Sequence, residues 1–280
     1  MDPVTSLIDY DALHAQALEF KPKLIVAGFS AYPRDIDYRK FKEICEDVGC
    51  YLHTDMSHMS GMIAAGLAND PFEVADVVST TSDKNLRGPK AAMIFSKTHI
   101  SDAVDFSVFP MHQGGPHNHT IAALATQLLH ANSPEFKEYI QNVKDNAQVL
   151  AKHLMDKGYK LITDGTSNHL ILMSCADKGI TGSKIEKACD LAGITLNKNT
   201  IIGDKSAMTP GGVRMGTPAV TTRGYQEQDM AEVARYLHEI FQLSLDLQAK
   251  SGKKMVNFQE ELKQSPQLAQ IRQEVNNFAV

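Results

Sequence analysis

Residues Lys23 to Asp55 read KLIVAGFSAYPRDIDYRKFKEICEDVGCYLHTD, and this stretch decides the fold class. Lys23 to Phe29 is a continuous apolar run of strand length. Asp37 to Val48 is amphipathic at helical spacing, with Phe41, Ile44 and Cys45 on one face. Cys50 to Met56 is a second strand. Strand, helix and strand in that rhythm predict parallel strands covered by helices, an α/β fold.

The pattern continues on both sides. Tyr10 to Phe20 has helical apolar spacing at Leu13, Ala17 and Leu18. Ala75 to Ser82 and Ala91 to Ser96 read as a third and fourth strand with no helix between them, so part of the sheet is expected to be mixed. His117 to His130 and Pro134 to Lys157 read as helices, the second opened by Ser133-Pro134, a natural N-cap with proline in the first turn. Beyond Gly158 the spacing predicts strands at Tyr159 to Thr163, His169 to Ser174 and Ile194 to Asn197. It also predicts helices at Ser183 to Ala192, Gln226 to Gln248 and Pro266 to Phe278. The long helix from Pro134 divides the chain into two domains, residues 1–140 and 141–280.

Bulk properties narrow the function classes. The net charge of −5 comes from interspersed signs, without the basic patch that nucleic-acid binding needs. Cys45, Cys50, Cys175 and Cys189 form no C-x-x-C pair and are too few for a disulfide framework. They read as reduced, mostly buried thiols of a reducing compartment. The apolar runs are strand-sized, so no membrane-spanning helix is expected. The N-terminus, Met1-Asp2-Pro3-Val4, has the character of neither a signal nor a transit peptide. His117 and His119 have a metal-pair spacing, but a helix turns residues two apart onto different faces, and no metal is assigned.

Polar residues gather at the expected strand ends, where open α/β sheets place their chemistry. Ser30 follows the first strand, Asp55 closes the second in Thr54-Asp-Met-Ser-His58, and Lys84 follows the third in Thr80-Thr-Ser-Asp-Lys84-Asn-Leu-Arg-Gly-Pro89. Taken singly each has an ordinary explanation: a solvated lysine, a capping aspartate, a core histidine at His58, a turn at Gln113-Gly-Gly-Pro116, a surface strand residue at Arg214. Their order and spacing together say more.

These stretches resemble the serine hydroxymethyltransferase family. The family's threonine run with His-Lys and Leu-Arg-Gly-Pro is matched by STTSDKNLRGPK, residues 79–90. Its Asp-Met-Ala-His-x-x-Gly is matched by Asp55-Met-Ser-His58-Met-Ser-Gly61, and its glycine loop by VFPMHQGGPHNHTIAALA, residues 108–125. Asn168 to Leu172, Leu196 to Thr200 and Gly212 to Ala219 follow in order.

The resemblance implies the aspartate aminotransferase-like fold of pyridoxal-phosphate (PLP) transferases, as an incomplete large domain with a mostly parallel sheet plus a smaller C-terminal α/β domain. PLP chemistry asks for a lysine to form a Schiff base, a carboxylate at the pyridine nitrogen, donors for the phosphate and a cation for the substrate carboxylate. By resemblance Lys84 is that lysine and Asp55 that carboxylate. His58 and Ser30 lie beside the ring, and Thr81 orients lysine or substrate. Gly114 and Gly115 present N–H groups to the phosphate of a neighbouring subunit's cofactor, Arg214 clamps the substrate carboxylate, and Asn199 contacts folate. A homodimer or hetero-oligomer is implied, acting on serine, glycine and tetrahydrofolate in the cytoplasm or mitochondrial matrix.

Three departures accompany the match. The chain begins well inside the family's length. The preceding part is expected to hold a phosphate-binding serine loop, a ring stacked on the cofactor, a glutamate used in proton transfer, and much of the folate pocket and dimer interface. Asp83 stands in place of a histidine, and a carboxylate near Lys84 favours its ammonium form. Lys90 replaces an arginine fork with a point charge. Two functional readings follow: a serine hydroxymethyltransferase, or a catalytically impaired relative kept as a structural or regulatory subunit of a larger assembly.

Overall fold

The computed structural model describes residues Met1 to Ala279. They form two compact units, one built from Ile8–Ser30 and Asp35–Gln141, the other from Met1–Leu7, Ala31–Arg34 and Asn142–Val280.

The first unit starts with α1 (Tyr10–Phe20), whose N-cap Asp9 accepts the Ala12 N–H. Strand β1 (Leu24–Gly28) leads to α2 (Tyr38–Val48), capped by Asp37 at its start and ended by Gly49 in the left-handed conformation (φ 75°). Then come β2 (Tyr51–Asp55), α3 (Ser60–Ala64), β3 (Val77–Thr81) and β4 (Ala92–Ser96). Each of the four expected strands is present, trimmed by one or two residues at its ends. The order is β1-β2-β3-β4, with β1, β2 and β3 parallel and β4 antiparallel to β3. Absence of a helix between β3 and β4 is the reason, since a parallel crossover needs one.

α2 packs against β1 and β2. Ala27, Leu52 and Val78 are buried, whereas Leu24, Val26, Tyr51 and Ile94 on the alternate positions are exposed. Helices α4 (Ser101–Phe106), α5 (Asn118–Ala131) and α6 (Pro134–Asp156) follow. Ser133 caps α6 by accepting the Phe136 N–H at 3.2 Å. A core of Met59, Met62, Leu86, Ala131, Phe136 and Ile140 joins α3, the segment after β3 and the start of α6.

In the second unit β5 (Leu170–Ser174), β6 (Asn197–Asn199) and β7 (Gly212–Gly216) make an antiparallel sheet in the order β5-β7-β6. Its helices are α7 (Gly182–Ala192), α8 (Pro218–Thr222), α9 (Met230–Ser251), α10 (Met255–Gln264) and α11 (Pro266–Phe278). Three expectations differ here. Tyr159 to Thr163 is not a strand: only Leu161 bridges to Met173, because Thr163 (φ 65°) and Asp164 (φ 53°) turn left-handed. Arg34 supports that turn, its Nη2 donating to the Thr163 and Asp164 carbonyls at 2.5 and 3.1 Å. The third strand forms at Asn197–Asn199 rather than from Ile194, and α10 arises where no helix was read, burying Phe258 and Leu262.

All four cysteines are free thiols, as the spacing predicts, and three are buried. Burial pushes the Cys45 and Cys189 thiols up to about 12. Among the described residues no helix is long and apolar enough to cross a membrane.

Candidate active site

Because β1, β2 and β3 are parallel, their C-terminal ends share one edge. Gly28 pairs with Asp55, and Asp55 with Ser79. Ser30 lies just beyond β1, Asp55 ends β2, and Thr81 ends β3 with Lys84 three residues on. A Cβ at residue 28 would stand 2.5 Å from the Asp55 carbonyl oxygen and 2.9 Å from its Cβ, so only glycine leaves that side of Asp55 clear.

Asp55 is exposed, but one oxygen is held. Its Oδ1 accepts the Ser57 N–H at 3.0 Å and the Ser57 hydroxyl at 2.5 Å, an aspartate turn closed by a serine two residues on. The Thr81 N–H donates to Ser57 Oγ at 3.0 Å, and the Lys84 ammonium donates to Thr81 Oγ1 at 2.7 Å. A carboxylate and an amine from two neighbouring strand ends are thereby joined through two hydroxyl residues.

The loop carrying Lys84 is closed on itself. Ser82 N–H reaches the Ala91 carbonyl at 3.0 Å, Gly88 N–H the Ser82 carbonyl at 2.6 Å, and Ser82 Oγ the Pro89 carbonyl at 2.6 Å. Arg87 takes a left-handed conformation (φ 61°), uncommon for a residue with a side chain, and its guanidinium lies 4.2 Å from the Tyr139 ring centroid. Leu86 anchors the loop in the core, and Asn85 is buried beside it. Asn85 donates to the His58 carbonyl at 2.7 Å and accepts the Gly61 N–H at 2.9 Å, tying the segment after β2 to the loop after β3. A side chain at Gly61 would collide with the Asn85 backbone. Asp83 is exposed, and among the described residues no ion pair joins it to Lys84.

Sequence reading named Asp55, His58, Thr81 and Lys84 but missed Ser57 and Asn85. Ser57 had a signal, an aspartate followed two residues later by a hydroxyl. Asn85 had none, because its partners are more than twenty residues away.

Gly114 and Gly115 line a groove of about 740 Å³ in the same unit, together with Lys90, Gln113 and His117. A Cβ at either glycine would meet nothing within 4 Å, so packing within this chain does not account for the pair. In the other unit, Arg214 stands mid-strand on β7, paired with Leu172 on β5 and Asn197 on β6, and its Nη2 donates to Asn197 Oδ1 at 3.1 Å. Asn199 donates to the Thr200 carbonyl at 2.7 Å.

The model of the family "Serine hydroxymethyltransferase" matches residues 1–237. This chain belongs to that family. Serine hydroxymethyltransferase 4 of Arabidopsis thaliana is 47% identical over 98% of the chain and 62% of its own length. The cytosolic serine hydroxymethyltransferase of Candida albicans is 46% identical over the whole chain and 63% of its own length. A mitochondrial one from Kluyveromyces lactis is 44% identical over 98% of the chain and 59% of its length. The chain thus spans about three-fifths of the curated relatives it matches.

Serine hydroxymethyltransferases are PLP-dependent and share the aspartate aminotransferase-like fold, with which the mostly parallel sheet agrees. The residues present in this family member fit such a group. An amine, a carboxylate and an imidazole-bearing segment converge on one sheet edge, and Gly28 keeps the approach to Asp55 open.

Proposed function

We propose that this chain binds PLP at Lys84 and takes part in the reaction that interconverts serine plus tetrahydrofolate with glycine plus 5,10-methylenetetrahydrofolate. The observation that carries this reading is the bonded path from the Lys84 ammonium through Thr81 and Ser57 to the Asp55 carboxylate. When bound, the cofactor supplies an electron-withdrawing ring that stabilises negative charge at the amino-acid α carbon.

The residues of this chain would divide the remaining work. Lys84 would supply the amine that holds the cofactor, and Thr81 Oγ1 would fix where that amine rests. Asp55 pairs with the ring nitrogen and keeps it protonated. His58 and Ser30 would help hold the cofactor, and Arg214 would bind the substrate carboxylate by its planar fork. Asn199 contacts the folate. Gly114 and Gly115 offer backbone N–H groups to a phosphate on a neighbouring subunit, which agrees with an exposed glycine pair that the chain's own packing does not require. An oligomer is part of this reading, and the exposed apolar residues Leu24, Val26, Tyr51 and Ile94 support association. A monodisperse monomer in light scattering would count against it.

The reading as a structural subunit without catalysis gains no support from the comparisons, and Lys84 rests on a hydroxyl rather than in an ion pair with Asp83.

Visible absorption of the purified chain with added PLP, followed by borohydride reduction and peptide mapping, tests the proposal. A single adduct at Lys84 whose spectrum shifts with glycine or serine is expected. Labelling scattered over surface lysines would refute the assignment.

A further inference from the structure

We propose that Ser57 is a positioning residue for Asp55: it pins one carboxylate oxygen so that the other is aimed at a bound cofactor's ring nitrogen. The inference deepens the reading of Asp55 as the ring-nitrogen partner and rests on it.

Hydrogen-bond accounting fixes the direction of each bond at Ser57. The Thr81 N–H can only donate, so Ser57 Oγ must be the acceptor of that 3.0 Å bond. The single hydroxyl proton of Ser57 then goes to Asp55 Oδ1 at 2.5 Å, the length of a charge-assisted bond to an ionised carboxylate. The Ser57 N–H adds a second bond to the same oxygen at 3.0 Å. Oδ1 is therefore doubly engaged, whereas Oδ2 has no partner among the described residues.

Without this clamp Asp55 would be an exposed side chain at a strand end, free to exchange among the staggered rotamers about its Cα–Cβ bond. Ser57 is itself buried, and the Met56 N–H bond to the Ser79 carbonyl at 2.9 Å holds the turn in register with β3. Thr81 is the shared post. Its amide orders Ser57 and hence Asp55, while its hydroxyl receives the Lys84 ammonium. The spacing between the amine and the carboxylate is thus set through Thr81 and Ser57.

The test compares wild type with Ser57→Ala and Ser57→Thr, with Ser57→Cys, a near-isosteric weak donor, in reserve should the alanine variant not fold. In the cofactor-free chain, three-bond couplings of labelled aspartate report the Asp55 rotamer. One dominant rotamer is expected in wild type and Ser57→Thr, and averaging in Ser57→Ala. With ¹⁵N-labelled PLP, the ring-nitrogen shift of Ser57→Ala should move towards that of an unpaired pyridine. Its PLP Kd should rise about tenfold or more, the worth of one hydrogen bond to a charged group, and the threonine variant should restore both. An alanine variant with the wild-type rotamer and the wild-type ring-nitrogen shift would overturn the proposal. Failure of wild type to take up PLP would sink the cofactor reading instead, and the rotamer measurement would still decide whether Ser57 positions Asp55.

Discussion

The two sheets of this chain solve different problems. In the C-terminal unit all five residues of β5 are buried, and Leu154, Ile171, Val213, Ile240, Phe241 and Phe258 lie in one continuous core with the helices. In the other unit β1, β2 and β3 are buried on alternate residues only, and Val26 is 58% exposed at mid-strand. The open sheet carries the candidate amine and carboxylate at its edge, and the closed one carries the larger core. Runs of apolar residues on both faces are what parallel strands covered on both sides require, so the open face reads as a surface awaiting cover.

The sharpest way to break this contrast is Lys84→Ala. It should abolish the borohydride-trapped adduct while leaving thermal unfolding unchanged, because among the described residues the side-chain bond of Lys84 is the one to Thr81. Loss of folding instead would mean the loop is structural. Next in size, Phe241→Ala should cost about 3–5 kcal/mol in denaturant unfolding, whereas Val26→Thr on the open face should stay within about 0.5 kcal/mol. Equal effects would erase the distinction between the sheets. Asn85→Ala should cost about 1–3 kcal/mol, since it strands the Gly61 N–H and the His58 carbonyl in a buried turn. That would place the most tightly specified polar contact in the otherwise open unit.

The smallest effect concerns pH. Burial lowers the proton affinity of His238, whose Nδ1 lies 2.9 Å from the Tyr159 hydroxyl in the C-terminal unit. The unfolded chain then binds the proton more readily. The contribution of neutral His238 is complete above its ordinary value of 6.5 and fades as pH falls through the lower folded value. Unfolding of His238→Gln should show a shallower pH dependence below 6.5, and an unchanged slope would remove His238 as the cause.

Much of the candidate site was readable because its residues sit at strand ends, and strand ends follow from short apolar runs. Asp55, Thr81 and Lys84 could be placed on the sheet edge in this way. Their hydrogen bonds could not, since the Ser57–Thr81 and Asn85–His58 pairs depend on β2 and β3 lying side by side. The Tyr159 to Thr163 segment was misread for a similar reason: its left-handed turn is supported by Arg34, 129 residues away, which no local pattern reveals.

Composition, periodicity and motif order by themselves determined an α/β fold, the four strands of the first sheet, the cap of α6 and the family, because these follow from local backbone preference and residue type. Tertiary structure alone decided the order and register of those strands and that one sheet face stays open. It also decided that Ser57 joins Asp55 to Thr81. Each of these depends on which strands become neighbours, and pairing across tens of residues is settled by packing the whole unit rather than by any one stretch of chain.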